Sequence, residues 1–185
     1  MSDGARVLVT GATGFVGRSL VPALRDRGCT VATVGRTEAG TPPSDVVAGI
    51  VDFAPTAVVH LATRFIAVHA PADIPDLVRS NVEFGTLVAE GAAQAGARLV
   101  STGTAWQHFE GHEYDPVSLY AATKQALAAI VDYYVAVQGL AACEVTIFDT
   151  YGPGDTRPKL VPSLMRAALD GRALQMSDGL SLIHI

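Results

Sequence analysis

Tyr120 and Lys124 stand four residues apart in LYAATKQALAAIVDYY, so on a helix they lie on one face, and Leu127, Val131 and Tyr134 continue the same stripe. A buried ammonium is costly, so a lysine among these apolar positions implies a task. Its charge is expected to favour the phenolate and lower the tyrosine's pKa toward working pH. Tyr120 could then pass a proton to or from a substrate oxygen. A cluster of hydroxyls, Ser101, Thr102 and Thr104, follows an apolar run and is expected just off a strand end, within reach of a ligand. His60 has no second ligand nearby in sequence and reads as a structural histidine rather than a metal or catalytic one, and no other metal-binding spacing is seen.

A second constellation lies near the N-terminus. In RVLVTGATGFVGRSL, the apolar run Val7-Leu8-Val9 suits a buried strand, and Val16, Leu20 and Leu24 have helical spacing. Between them Gly11, Gly14 and Gly17 recur every third residue. Strand, glycine turn and helix make the context of a dinucleotide site. Gly11 permits the tight turn, Gly14 removes a Cβ where backbone must approach a pyrophosphate, and Gly17 lets the helix pack on the strand. The N–H groups and dipole of the helix start then face the phosphates. The next strand, Cys29 to Val34, ends at Gly35-Arg36-Thr37 without an acid. A carboxylate there would accept from a ribose 2′-OH and repel a 2′-phosphate, whereas Arg36 offers a phosphate-matching fork. NADP is therefore favoured, with NAD possible.

These groups need a scaffold. The first helix contains Pro22, where a slight kink is expected, and Gly28 closes it. Residues 38–56 carry Gly, Pro, Ser and Thr and then Val46-Val47 and Ile50-Val51, without a clear element. AVVHLA, residues 57–62, is a buried strand. A loop from Pro71 leads into a long helix over about 76–95, with Leu77, Asn81, Phe84, Val88 and Ala92 as its stripe. Asn81 in that stripe requires a partner. Gly96 ends the helix and Ala97 to Val100 starts a further strand. CEVTIFDTYGPG gives one more strand with its exit loop, and Leu160, Leu164 and Ala168 suggest a helix ending at Gly171. Strands alternating with helices predict an α/β doubly wound, parallel sheet, a Rossmann fold, with ligands beyond the C-terminal strand ends.

TGATGFVG resembles the extended short-chain dehydrogenase/reductases, the NAD-dependent epimerase/dehydratase family, and NVEFGT, the Ser101–Thr104 stretch, Tyr-x-x-x-Lys and FDTYGPG follow in that family's order. The resemblance covers nearly the whole chain. It implies that Gly11, Thr13, Gly14, Phe15, Val16, Gly17, Arg36, Leu61, Ala62, Thr63, Tyr120, Lys124 and Thr150 line the cofactor. Thr102 would bond the reacting oxygen beside Tyr120 and Lys124, and Asn81 would hold active-site backbone. Thr104, Asp149, Arg157 and Lys159 would meet a nucleotide-diphosphate sugar, the last two as phosphate contacts. Gly103 and Thr104 stand where the 4,6-dehydratases carry an Asp-Glu pair, so water elimination loses its acid and base. GTAWQH in place of a Tyr-Gly ending looks like reductases of CDP-linked 4-keto-6-deoxyhexoses. The expectation is a reductase at C4 of such a sugar. The alternatives are a nucleotide-sugar 4-epimerase using NAD and a dinucleotide-binding sensor without turnover. Residues 1–155 would form the dinucleotide domain and 156–185 the beginning of a truncated substrate lobe, with a homodimer through the helices at 76–95 and 119–138.

Composition agrees with that class. The 185 residues are 49% apolar and 17% charged, with net charge −5, and contain no basic run, which argues against nucleic acid or an anionic membrane as partner. No apolar run approaches the roughly 18 residues of a membrane span, and no leader pattern precedes Val7, so a cytoplasmic protein is expected. Cys29 and Cys143 read as buried free thiols. The final stretch, Leu180 to Ile185, stops without a turn or cap, reads as a truncated reading frame or adapter readthrough, and carries no functional weight.

Overall fold

Alternation along the first strand organises the protein. In the computed structural model, which describes residues 4–35, 42–157 and 159–174, β1 is Arg6–Thr10 and its last four residues are buried. Val7 and Val9 face one way, against Val21 and Leu24 of α1, Phe15–Asp26, and against Cys29. Leu8 faces the other way, into a larger core with Ile50, Val58, Phe84, Val88, Leu99, Leu127 and Val131. Side chains at period two thus feed two cores, and a sheet covered on both faces follows.

The strands β2, Thr30–Val34, β3, Ala57–His60, β4, Arg98–Thr104, and β5, Ala142–Ile147, complete a five-stranded sheet in the order β2-β1-β3-β4-β5 among the described residues. β1 pairs in parallel with β2 (Val7 opposite Val31) and with β3 (Val7 opposite Ala57), and β3 with β4 (Val58 opposite Leu99). This is the doubly wound Rossmann arrangement. The chain divides into two compact units, one ending at Thr146 and one beginning at Ile147.

Several elements differ from expectation. The weakly read segment contains a helix, α2 (Pro43–Phe53), whose Val46 and Ile50 are buried. Ile50 packs so tightly on the helix that carries Gly91 that a Cβ there would come within 2.8 Å of its Cδ1. The buried stripe of α1 is Gly17, Val21 and Leu24 rather than Val16, Leu20 and Leu24. That helix runs unbroken through Pro22, and Gly28, at φ +77°, closes it, with Cys29 N donating to Leu24 O at 3.1 Å. The long helix is three pieces: α3 (Ile74–Val78), a π-turn at Arg79–Glu83, and α4 (Phe84–Gln94). All five stripe positions from Leu77 to Ala92 are buried. β4 runs on through Thr104, so Ser101, Thr102 and Thr104 are strand residues and not loop residues. Cys143 is exposed, on β5, and only Cys29 is a buried thiol. Helices α5, Leu119–Gln138, and α6, Leu160–Leu169, follow the expected boundaries, and Gly139 and Gly171 lie just past them at positive φ. On α6 the buried residues are Pro162 and Ala167, while Leu164 is exposed. Among the described residues no helix is long and apolar enough to cross a membrane.

Candidate functional site

The glycine turn has the geometry that its residue types imply. Gly11 adopts φ +69°, and a Cβ there would lie 2.6 Å from the backbone N of Ala62. At Gly17 a Cβ would lie 2.3 Å from Gly11 O and 2.7 Å from Ala12 Cα, so the helix seats on the turn itself rather than on the strand. Gly14 differs: its Cβ would meet only Gly11 O, at 3.2 Å. Gly14 is also the N-cap of α1, which has neither a side-chain cap nor an acid in its first turn. A helix start of this kind, with an open glycine before it, fits the pyrophosphate of a dinucleotide. Thr13 and Gly14 are exposed on this turn, and Phe15 and Val16 half-buried. Gly14→Ala is expected to fold with near-native stability yet lose dinucleotide binding, whereas Gly17→Ala loses about 2–4 kcal/mol of stability through overpacking. Thermal unfolding alongside nucleotide titration separates the two variants, and equal destabilisation by both would refute the division of roles.

The turn abuts the segment after β3. Leu61 N donates to Thr10 O at 3.3 Å and Ala62 N to Thr10 Oγ1 at 3.2 Å. Thr10 Oγ1 is in turn hydrogen-bonded to His60 Nδ1 at 2.8 Å. His60 is a core residue, 1% exposed. Its ring lies 5.8 Å from that of Phe84, and burial, followed by the charge of Lys124, lowers its pKa to about 3.

Asn81 finds partners for every polar atom of its side chain. Thr63 Oγ1 and Arg64 N donate to its Oδ1 at 3.0 and 2.7 Å, and its Nδ2 donates to Arg64 O at 3.0 Å and Thr123 Oγ1 at 2.9 Å. It sits in the π-turn between α3 and α4, a local widening that aims this side chain across to the loop after β3. Thr123 Oγ1 donates to Tyr120 O at 2.7 Å. Asn81 therefore ties the 63–64 backbone to the first turn of α5, which Ser118 caps by accepting from Ala121 N at 3.2 Å.

On α5, Tyr120, Lys124, Leu127, Val131 and Tyr134 are all buried, as their spacing predicts. The Tyr120 hydroxyl shares hydrogen bonds with the Thr63 and Thr104 side chains. The expected lowering of its pKa by Lys124 is not found. Burial is the largest influence and raises it, and the two threonine hydrogen bonds act in the opposite direction. Lys124 is 2% exposed, and burial lowers its pKa to about 8 against the attraction of Glu144. Its Nζ donates to Thr102 Oγ1 at 3.4 Å, and Thr102 Oγ1 donates to His60 O at 3.2 Å. Thr104, rather than Thr102, thus adjoins the phenol.

Other neighbours carried no role in the sequence reading. Gln107 is fully buried, accepts from Thr104 N at 2.7 Å through Oε1 and donates to Gln125 Oε1 at 3.0 Å. The carboxylate of Glu144 fills the space beside Gly103, where a Cβ would lie 2.3 Å from Oε1. Phe65 and Trp106 pack against Tyr120. Only Trp106 and Gln107 left a trace in the sequence, in the run that departs from Tyr-Gly.

The remaining predicted residues belong to the second unit. Arg157 makes a fork with Asp155, with Nε and Nη2 each 2.8 Å from a carboxylate oxygen, and Nη2 also donates to Thr150 O at 2.8 Å and Oγ1 at 3.2 Å. This pairing pulls the Asp155 pKa down to about 2 and raises that of Arg157. Lys159 Nζ lies 3.2 Å from Asp149 Oδ1. The two expected phosphate contacts are thus engaged with carboxylates of their own unit. Arg36 lies outside the described residues.

Contact by contact, a line runs from Gly11 through Leu61, Ala62 and Thr63 to Tyr120 and Thr104. It joins the glycine turn to a buried phenol that shares a helix with the buried Lys124. The comparisons agree with this geometry. The sequence model of the NAD dependent epimerase/dehydratase family matches residues 7–182. The CDP-abequose synthase of Yersinia pseudotuberculosis is 24% identical over 199 residues, covering 97% of this chain and 69% of that protein. A 3-diazoavenalumate denitrifying reductase from Streptomyces is 33% identical over 178 residues, 80% of this chain and 57% of that one. The solved structure of MoeE5 in complex with UDP-glucose and NAD superposes with TM-score 0.74 at 27% identity, over 90% of this chain and 62% of that chain. The chain thus spans between 57% and 69% of the length of these relatives. With turn, helix and hydroxyl partners in place and the model matched over most of its length, the chain belongs to the NAD-dependent epimerase/dehydratase family.

Proposed function

We propose that the protein is an NAD(P)-dependent reductase of a nucleotide-activated sugar, converting the C4 ketone of a 4-keto-6-deoxyhexose to an alcohol. The observation that carries this reading is the Tyr120 hydroxyl held by Thr63 and Thr104 in a buried setting, on the same helix as the buried Lys124. Gly103 and Thr104 leave no acid/base pair for elimination on β4. The likeness to a CDP-abequose synthase and to a UDP-glucose-bound and NAD-bound structure supports a nucleotide sugar.

When bound, the nicotinamide supplies a hydride, two electrons and a proton's mass, to the carbonyl carbon. The residues handle the rest. Tyr120 releases its proton to the oxygen as the C–O double bond becomes single, and regains one from solvent. In this state burial keeps the phenol protonated, which suits a proton donor. Thr104, beside the phenol, would orient the carbonyl, the role expected of Thr102 from the sequence, and Thr102 would hold the Lys124 ammonium in place. Lys124 would hold the cofactor's ribose. Gly11, Thr13, Gly14, Phe15, Val16, Gly17, Leu61, Ala62, Thr63 and Thr150 would hold the cofactor, and Arg36 would take a 2′-phosphate, favouring NADP. Residues 156–185 would open the substrate lobe, where Arg157 and Lys159 would meet the diphosphate by exchanging their carboxylate partners for phosphate oxygens, and Asp149 would contact another part of the substrate. Two such chains would pair through the α3–α4 and α5 helices, in the cytoplasm.

A second reading, a nucleotide-sugar 4-epimerase with NAD, uses the same residues, and the NAD-bound relative favours it. Titration with NADPH and NADH distinguishes them, because Trp106 is the single tryptophan and stands in the site. Tighter quenching by NADPH, reversed in favour of NADH by Arg36→Asp, is the result expected of the reductase. Preference for NADH in the unaltered chain moves the epimerase to first place, and binding of neither refutes both.

A further inference from the structure

Two aromatic rings from two separate elements meet the ring of the proton donor. Phe65, on the irregular segment after β3, lies 5.0 Å from the Tyr120 ring, edge-on at 79°, and 5.5 Å from that of Trp106, which follows β4. Trp106 in turn lies 6.5 Å from Tyr120, again at 79°. Tyr120 is buried, whereas Phe65 remains 44% exposed. A large aromatic left open to solvent next to a buried phenol offers apolar surface that a ligand can cover. The hydroxyl neighbours of the phenol are Thr63 and Thr104, so its polar and apolar surroundings come from different residues.

We propose that Phe65 and Trp106 form the wall against which the substrate rests the substituent next to its reacting carbon, and that this substituent is apolar: the C6 methyl of a 6-deoxyhexose rather than a hydroxymethyl. The proposal rests on the sugar reductase reading. An oxygen atom proton-coupled to Tyr120 fixes C4 beside the phenol, and of its two ring neighbours, C3 and C5, only C5 carries an exocyclic carbon, C6, suited to an apolar wall. A hydroxyl at C6 pressed on two hydrocarbon rings gives up water without gaining a partner. A methyl group there releases water from both surfaces. A hydrophobic wall of this kind separates such a pair by about tenfold to a hundredfold.

The test uses the 185-residue chain with NADPH and a matched pair of CDP-4-ketohexoses, one carrying methyl and one hydroxymethyl at C6. The expected result is a kcat/KM preference of about tenfold or more for the methyl compound, carried by KM, together with stronger quenching of Trp106 by it. Phe65→Leu keeps most of the preference, and Phe65→Gln brings the two compounds to within about threefold. Turnover of both compounds without preference, or a preference that Phe65→Gln leaves intact, overturns the wall while the reductase reading stands. Absence of turnover with quenching still selective for the methyl compound overturns the reaction and supports the wall. Neither turnover nor selective quenching overturns both.

Discussion

Replacing Lys124 with methionine is expected to raise the unfolding free energy at pH 7 by about 2–3 kcal/mol while lowering turnover at least about a hundredfold. The two effects share a cause. Burial moves the lysine from its ordinary 10.5 to about 8, with Glu144 already opposing the shift, so the folded state carries the ammonium at a cost. The sign follows from proton counts. Below pH 8 the folded and unfolded chains both hold the proton and the full penalty applies. Between 8 and 10.5 the unfolded chain alone retains it, so stability rises with pH through that window. Methionine has comparable length and no charge, and it fills the space without the penalty. The advantage of the variant should therefore be greatest at neutral pH and vanish as pH passes 10.5. Urea unfolding of both proteins at pH 7 and pH 10 measures it. A variant less stable than the parent at pH 7 would mean that the Thr102 and Glu144 interactions outweigh desolvation, and that the lysine is retained for the fold rather than for chemistry.

That lysine also shows what was legible in the sequence. Its place on the buried stripe of α5 depends on spacing within one helix, as does the stripe that carries Asn81, and such short-range patterns survive folding intact. The glycine turn was legible for the same reason, since positive φ and close approach act between residues a few positions apart. α2 was missed although Val46 and Ile50 had helical spacing, because Gly, Pro and Ser around them read as loop. The stripe of α1 was displaced by one position because Gly17 must abut Gly11, which rotates the helix about its axis. The partners of Tyr120 lay beyond local pattern altogether. Thr63 reaches the phenol only because Asn81 pins the loop after β3, and Glu144 comes beside Gly103 only when two strands are side by side. The expected fall in the Tyr120 pKa failed on the same ground, since it counted a charge and omitted the depth at which the phenol is buried.

The second large effect concerns acid. His60 is a neutral core residue whose pKa burial and Lys124 hold near 3, against an ordinary 6.5. Above pH 6.5 it is neutral whether the chain is folded or not, and its packing is fully available. As pH falls toward 3 the unfolded chain takes up a proton that the folded one refuses, so stability declines, by about 3 kcal/mol between pH 7 and pH 4. His60→Gln removes the titration and retains an acceptor for Thr10, so the variant should start less stable at pH 7 and yet lose less on acidification, the two curves converging near pH 4. The depressed Asp155 carboxyl belongs to another window. Its contribution is complete above 3.8 and lost only as pH falls through about 2, so it does not enter the range between 6.5 and 4. Lys124 links the two predictions, because its charge is one of the two influences that hold His60 neutral. Lys124→Met should raise the His60 pKa and make the protein more acid-tolerant than neutral-pH stability alone accounts for. Parallel stability curves for His60→Gln and its parent from pH 7 to pH 4 would show that the ring is reached by solvent before the fold opens, and would remove His60 from the account of acid stability.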